Sequence, residues 1–280
     1  MNRTMITAQN TLTQLQKQMD IVSNNMANID TTGYKRREAN FTDLLVQQFN
    51  NQTRPNAEGN RLTPNGVRVG VGAKLGQSQL VMTQGSLKTT DRPLDLAFTT
   101  TGQYFRVLEQ GENGSAVRYT RDGAFYLTPL SQNETMLVTG DGYPVLDENN
   151  NPITITGDVK EFKVTEQGRL IATMNNGSTS EFNLGISLIK KPQFLEQKGG
   201  NLLGLPENFE ELNTPVEDIL TEMSGPLRNQ IAIQQGALEQ SNVDMAKEMT
   251  ELINLQRSYQ FQSRSISIAD QMMGLVNGIR

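Results

Sequence analysis

Apolar residues recur at alternating steps of three and four at both ends of this chain. Two such stripes cannot each be buried by the helix that carries them. Met5, Ala8, Leu12, Leu15, Met19, Val22, Met26 and Ile29 make the first series. Met245, Leu252, Leu255, Tyr259, Ile266, Ala269, Met273 and Val276 make the second, with Glu248 and Gln262 interrupting it. A 3-4 repeat sets side chains along one face of a helix, and that face packs against another helix. Each end is expected to find the other, in the same subunit or in a neighbour. An amphipathic helix lying on its own β-domain accounts for one stripe more easily than for two terminal ones. The layout points to a subunit of a self-assembling fibre or tube rather than to an enzyme.

Composition narrows the chemistry. The 280 residues include no His, Cys or Trp. A Ser-His-Asp triad, a Cys nucleophile and a zinc site are therefore excluded. A net charge of -5 gives no reason to expect nucleic acid or an anionic membrane as partner. No cofactor, metal or small-molecule substrate is expected. The apolar runs are too short for a membrane-spanning helix. Residues 1–25 lack the apolar stretch of a secretory leader, so a destination outside the cytoplasm is expected to need an export route without a cleaved signal peptide.

The period changes along the chain. Residues 4–29 read as a helix that stops at Asp30, Thr31, Thr32 and Gly33, because glycine tolerates the left-handed turn that closes a helix. Phe41, Leu44, Leu45 and Phe49 suit a short second helix. Asn50 to Asn65 reads as a polar loop or arm that needs a partner to order. From Val67 the period becomes two. Short strands are expected at Gln79–Met82, Leu94–Phe98, Tyr104–Leu108, Ala124–Leu127, Ile153–Ile155, Phe162–Thr165, Leu170–Thr173 and Ile186–Ile189. Gly, Asn, Asp and Pro separate them, as in an antiparallel all-β barrel or sandwich. Glu207 to Glu222 reads as an acidic, exposed connection, and Ile231 with Ile233 as a last strand. The final helix is expected to begin near Ser241–Asp244, capped by Asn242 or Asp244, and to end near Gly278. The implied parts are a helix over 1–33, an arm over 34–66, a β module over 67–235 and a second helix over 236–280. Ordering about 25 helical residues costs about 1–2 kcal/mol each. The ends are therefore expected to be disordered in a free monomer and helical in an assembly.

The stretch Ser23-Asn24-Asn25-Met26-Ala27-Asn28-Ile29-Asp30-Thr31-Thr32-Gly33-Tyr34-Lys35 resembles the signature of bacterial flagellar rod and hook axial proteins. Further stretches agree in order. They are Gln84–Leu87, Asp95–Phe98, Gly102–Phe105, Tyr119–Phe125, Gly140–Pro144, Gln235–Val243 and Gln256–Tyr259. Size and the central module are most similar to the distal rod protein, then to the proximal rod protein. The resemblance implies an α+β fold, with N- and C-terminal helices forming an antiparallel coiled coil and a central antiparallel all-β module. It implies a rod subunit of the basal body that self-assembles into a helical tube and transmits torque from motor to hook. Its partners would be further copies, neighbouring rod and hook axial proteins, and the flagellar type III export apparatus. The polar Asn50–Asn65 arm and the long acidic Glu207–Glu222 segment depart from the distal rod pattern, so proximal rod and hook roles stay open. The implied subunit-interface residues are Met5, Leu12, Leu15, Met19, Val22, Asn25, Met26, Asn28, Thr32, Gly33, Leu252, Leu255, Arg257, Tyr259, Ile266 and Met273.

Other readings compete. Asp91 and Asp95 are the nearest candidate carboxylate pair for a cell-wall hydrolase. Four residues apart on a strand they stand about 13 Å from each other, too far for that chemistry. A secreted adhesin would instead be a monomer with ordered ends. Asp147, Asn149 and Asn151 mimic a calcium loop, but Pro152 and Asp158 stand where Gly and Glu belong. Gly70, Gly72 and Gly76 have the wrong spacing for a nucleotide loop. Tyr119 to Gly123 reads as a strand entering a hairpin turn at Asp122-Gly123.

Overall fold

The computed structural model describes residues 2–43, 47–49, 67–70, 73–111, 114–199, 201–206 and 215–278. The Asn50–Asn65 arm and residues 207–214 of the acidic segment lie outside them. Two compact units form. One comprises Met1–Met26, Arg37–Ser78 and Met245–Arg280; the other comprises Ala27–Arg36 and Gln79–Asp244.

The first unit holds the two terminal helices, Asn2–Ala27 and Met245–Gly278. It also contains two small antiparallel pairs. Phe41–Asp43 pairs with Ala73–Leu75, and Gln47–Phe49 with Val67–Val69. The short helix expected around Phe41 to Phe49 is therefore absent, and its described residues are strands. Phe41 and Phe49 belong to a series with helical spacing, but pairing with segments about 20 to 30 residues away decides the backbone of the described strands.

The second unit is built on a six-stranded antiparallel sheet. Its order is Glu196–Gly199, Leu202–Gly204, Gly114–Thr120, Gln103–Gly111, Ile186–Ile189 and Leu220–Glu222. Successive side chains of a strand point to opposite faces, and here both faces are buried. Phe105 and Val107 enter one core, with Phe98, Phe125, Leu137, Ile153, Ile155 and Ile186. Tyr104, on the same strand, enters a second core with Tyr119, Ile189, Leu195, Leu203 and Leu220. The Phe105 ring lies 4.3 Å from Phe98 and meets Phe125 edge-on at 5.0 Å. Two three-stranded sheets, Phe125–Ser131 with Glu134–Thr139 and Thr154–Thr156, and Val159–Val164 with Arg169–Met174 and Thr179–Asn183, complete most of the module. Leu96–Phe98 pairs with Ile233–Gln235, and Leu87–Thr89 with Ala237–Glu239.

Three further expectations change. Phe125–Ser131 pairs with Glu134–Thr139 rather than with Gly114–Thr120, so Asp122-Gly123 is not a hairpin turn but a passage between sheets. At Gly123 the Leu96 backbone lies where a Cβ would stand. The described part of Glu207–Glu222 is not an exposed connection. Val216–Ile219 is a helical turn and Leu220–Glu222 an edge strand, with Ile219 and Leu220 buried. Asn242 does not spend its side chain on the helix that follows. Its Oδ1 accepts from the Arg36 amide at 2.7 Å, and its Nδ2 donates to Val81 and Thr83 carbonyls at 2.8 and 3.0 Å.

Truncating the buried Phe105 to Ala removes its ring from the core and should cost about 3–5 kcal/mol in urea unfolding of the full chain. Leu130→Ala, on an exposed strand position, should change stability by no more than about 0.5 kcal/mol.

Candidate assembly surfaces

The helix seam lies within the first unit. Ala8, Leu15 and Val22, spaced by sevens, are buried along the N-terminal helix. Leu15 and Val22 pack with Leu255, and Met19, Met26, Leu252 and Tyr259 flank them. Met5 and Leu12 are half-buried. Polar pairs fix the direction. Gln16 donates to the Tyr259 hydroxyl at 3.4 Å, Gln18 to Glu251 at 2.9 Å and Asn25 to Glu248 at 3.1 Å. Numbers rise on one helix while they fall on the other, so the two run antiparallel. Asn25 and Glu248 are only 1% and 2% exposed. Asn25 also accepts from the Arg37 amide and donates to the Arg37 carbonyl, each at 2.9 Å. Glu248, which looked like an interruption of the heptads, is thus part of the seam.

Beyond Tyr259 the C-terminal helix changes character. Ile266 and Met273 are half-buried, and Arg257 is exposed. Phe261, Ile268 and Leu275, also spaced by sevens, are 71%, 56% and 69% exposed. They form a second stripe that the heptad reading did not single out. Met245 and Val276, assigned to the heptad series of this C-terminal helix, are exposed as well.

The corner after the first helix belongs to the second unit. Asn28 Oδ1 accepts from the Thr31 hydroxyl at 3.3 Å. Thr32 donates to Asp122 Oδ1 at 2.8 Å, and its carbonyl accepts from Asn201 at 2.7 Å. Gly33 has φ +69°, and a Cβ there would stand 2.5 Å from the Arg121 and Asp122 backbone. Only glycine satisfies both the turn and that approach. The Gly33 amide donates to the Glu239 carbonyl at 2.8 Å. Thr32 and Gly33, expected at a subunit interface, thus make their described contacts inside their own chain.

The corner closes on a buried charge cluster. Glu239 Oε1 accepts from Lys35 Nζ at 2.5 Å and from the Gly85 amide at 3.0 Å. Its Oε2 accepts from Arg121 Nε at 2.6 Å. Arg121 gives its remaining nitrogens to the carbonyls of Gln103 and Thr100 at 2.7 and 2.8 Å. Lys35 also donates to the Thr83 carbonyl at 2.8 Å. All three charged side chains are buried. Burial alone pushes the Glu239 carboxyl up, but the Arg121 and Lys35 charges outweigh it and hold it below its ordinary value. Burial pulls Lys35 down despite the Glu239 charge. Asp122 is pushed up by burial, against hydrogen bonds from Ala124 and Thr32.

The carboxylates Asp95 and Asp147 are tied into their own surroundings. Asp95 is buried, accepts from the Thr90 hydroxyl at 2.8 Å and forms an ion pair with Arg92 at 3.2 Å, which suits a structural carboxylate. Asp147 Oδ1 accepts from the Asn149 and Asn151 amides, each at 2.8 Å, and so organises its own loop. Among the described residues, no group of three or more His, Cys, Asp or Glu is placed to hold a metal.

Three protein-family models match in chain order. The Flagella basal body rod protein model covers residues 5–35. The Flagellar hook protein FlgE/F/G D1 domain model covers 100–172. The Flagellar basal body rod FlgEFG protein C-terminal model covers 234–279. Flagellar hook-basal body complex protein FlhP of Bacillus subtilis is 46% identical over 286 residues, with 100% of both chains covered. Flagellar basal-body rod protein FlgG of Agrobacterium fabrum is 33% identical, over 94% of this chain and 93% of its own. FlgG of Borreliella burgdorferi is 32% identical, over 100% and 99%. This chain belongs to the flagellar basal-body rod and hook protein family. Each family segment carries one member of the buried cluster: Lys35 in the first, Arg121 in the second and Glu239 in the third. All three residues lie within the motifs that carry the family resemblance, where nothing local marks them as a site. Their opposite charges in separate motifs were the available clue.

Glu239→Gln leaves two buried cations facing a neutral amide and should destabilise the chain by about 3–5 kcal/mol near neutral pH. A depressed carboxyl stabilises the fold fully above its unfolded value, and that contribution fades as pH falls toward the lower folded value. The difference between wild type and Glu239→Gln in urea unfolding should therefore shrink on acidification through that window. Gly33→Ala should cost more than about 1 kcal/mol in the same assay, because positive φ and backbone overlap act together.

Proposed function

We propose that this chain is a structural axial subunit of the flagellar basal-body rod, of the distal type. Copies self-assemble into a helical tube that carries torque toward the hook. The observation that carries this reading is similarity from end to end to proteins named for the hook-basal body complex and the basal-body rod. The exposed stripe of Phe261, Ile268 and Leu275 supports it, because a large apolar face suits a neighbour more than water. In the assembly the two terminal helices form an antiparallel coiled coil whose inner seam is Leu15, Val22 and Leu255, flanked by Met5, Leu12, Met19, Met26, Leu252, Tyr259, Ile266 and Met273. Asn25 sets its register, and the exposed Arg257 is free to meet a neighbouring subunit. Asn28, Thr32 and Gly33 shape the corner and contribute its backbone to a subunit contact. The partners are further copies and neighbouring rod and hook axial proteins. Delivery is by the flagellar type III export apparatus, to an extracytoplasmic position. The chain does this by packing rather than by catalysis. No described helix is long and apolar enough to cross a membrane.

A second reading keeps the family and changes the place. The central match is named for hook and rod proteins alike, so a proximal rod or hook position stands as the alternative. Complementation separates them: motility restored in a strain lacking the distal rod protein supports the first reading, and rescue only of a hook or proximal rod deletion supports the second.

The assembly claim has its own test. Electron microscopy of the full chain should show tubes or oligomers. A chain lacking 1–33 and 241–280 should show none. Phe261→Asp with Ile268→Asp should reduce assembly at least tenfold while leaving the urea midpoint of the β core unchanged. Undiminished assembly by the double variant would remove this stripe from the interface. Hydrogen exchange should find the helix amides labile in dilute monomer and protected in the assembly.

A further inference from the structure

A pocket of about 20 Å³ is walled by Gly33, Tyr34, Lys35, Tyr104, Gln197 and Asn201, with Leu80 and Leu203 on its apolar side. Such a space admits one water molecule, for which about 10–15 Å³ is the lower limit. Two polar groups on its wall have bonding capacity left. Asn201 donates through Nδ2 to the Thr32 carbonyl, yet its Oδ1 is buried without a hydrogen-bond partner. Exchanging the two amide atoms gives no relief, since Oδ1 would then face the Thr32 carbonyl, acceptor against acceptor. Lys35 uses two of the three donors that an ammonium carries, on Glu239 and Thr83. Buried acceptors in folded proteins are nearly always bonded, to protein or to ordered water.

We propose that this pocket is the site of one structural water, donating to Asn201 Oδ1 and accepting from Lys35 Nζ. The charges around it select a neutral occupant. Lys35 on the wall disfavours a cation, while Glu239, bonded to Lys35, disfavours an anion. A dry pocket is the habit of apolar cavities, whereas this one has a donor and an acceptor on its wall. The water links the Thr32–Asn201 bond to the Lys35–Glu239 pair and satisfies the ammonium on the side that the carboxylate does not cover.

The test is a crystal structure of the full chain at a resolution that shows ordered solvent, joined to water-to-amide NOE spectroscopy. One solvent peak is expected within about 3.2 Å of both atoms. A long-lived water cross-peak to the Gly33 or Lys35 amide is expected in the wild type and should be lost in Asn201→Leu, which removes the acceptor. A pocket without density, or Asn201 Oδ1 resting on a protein donor, overturns the assignment. So does a cross-peak undiminished in Asn201→Leu. The wild-type crystal decides the matter by itself if that variant does not fold.

Discussion

One carboxylate buried between two cations organises the β-containing unit. Glu239 has little contact with water, so its charge is worth keeping only if both of its oxygens have donors. Lys35, Arg121 and the Gly85 amide supply them. The cluster then holds two positive charges to one negative. Carbonyls absorb the excess: Thr83 for Lys35, and Gln103 and Thr100 for Arg121. Segments near residues 33, 84, 102, 121 and 239 meet there, none of them adjacent in sequence. Removing the carboxylate would strand both cations, so the segments are tied together by electrostatics as well as by packing.

The same cluster is continuous with the apolar interior. The Arg121 guanidinium lies 5.3 Å from the Phe98 ring and 5.7 Å from Tyr104. Phe98 belongs to one core and Tyr104 to the other. An arginine with its donors committed can still face aromatic rings, because its planar π-system is weakly hydrated. A lysine at 121 has no fork with which to reach Glu239, Gln103 and Thr100 at once.

Legibility followed the range of the determining interaction. The two helices were readable from sequence because a heptad stripe is local. Several strands were readable from alternation for the same reason, Ile186–Ile189 and Arg169–Met174 among them. Thr179–Asn183 is mostly polar, and Glu134–Thr139 has one short apolar run rather than alternation; their neighbours in the sheet make them strands. Phe41 to Phe49 had a helical spacing that remote pairing overruled. Asp122-Gly123 had the composition of a hairpin turn, but Gly123 is spent on the approach of the Leu96 backbone. In the seam, Asn25 was legible as a polar residue on an apolar helix. Its pairing with Glu248, across 223 residues, was not. Lys35, Arg121 and Glu239 each stood in a quoted motif, and only the fold brings them together.

The Asn25–Glu248 pair also explains how a repetitive seam settles on one alignment. Apolar stripes with a seven-residue period tolerate sliding by whole heptads, since one leucine replaces another. Sliding these helices by seven residues sets Asn25 against Leu255 and leaves its buried amide without Glu248. That amide, and the Arg37 backbone groups bonded to it, then lose partners in a dry place. A polar residue at a core position of paired helices costs stability but excludes the wrong register. A seam able to slip by one heptad would yield along its own axis, and the buried pair opposes that slip. The outward stripe of Phe261, Ile268 and Leu275 has no such polar residue at its repeat. Its register is therefore left to whatever packs on it, while the inner seam is fixed by its own chain.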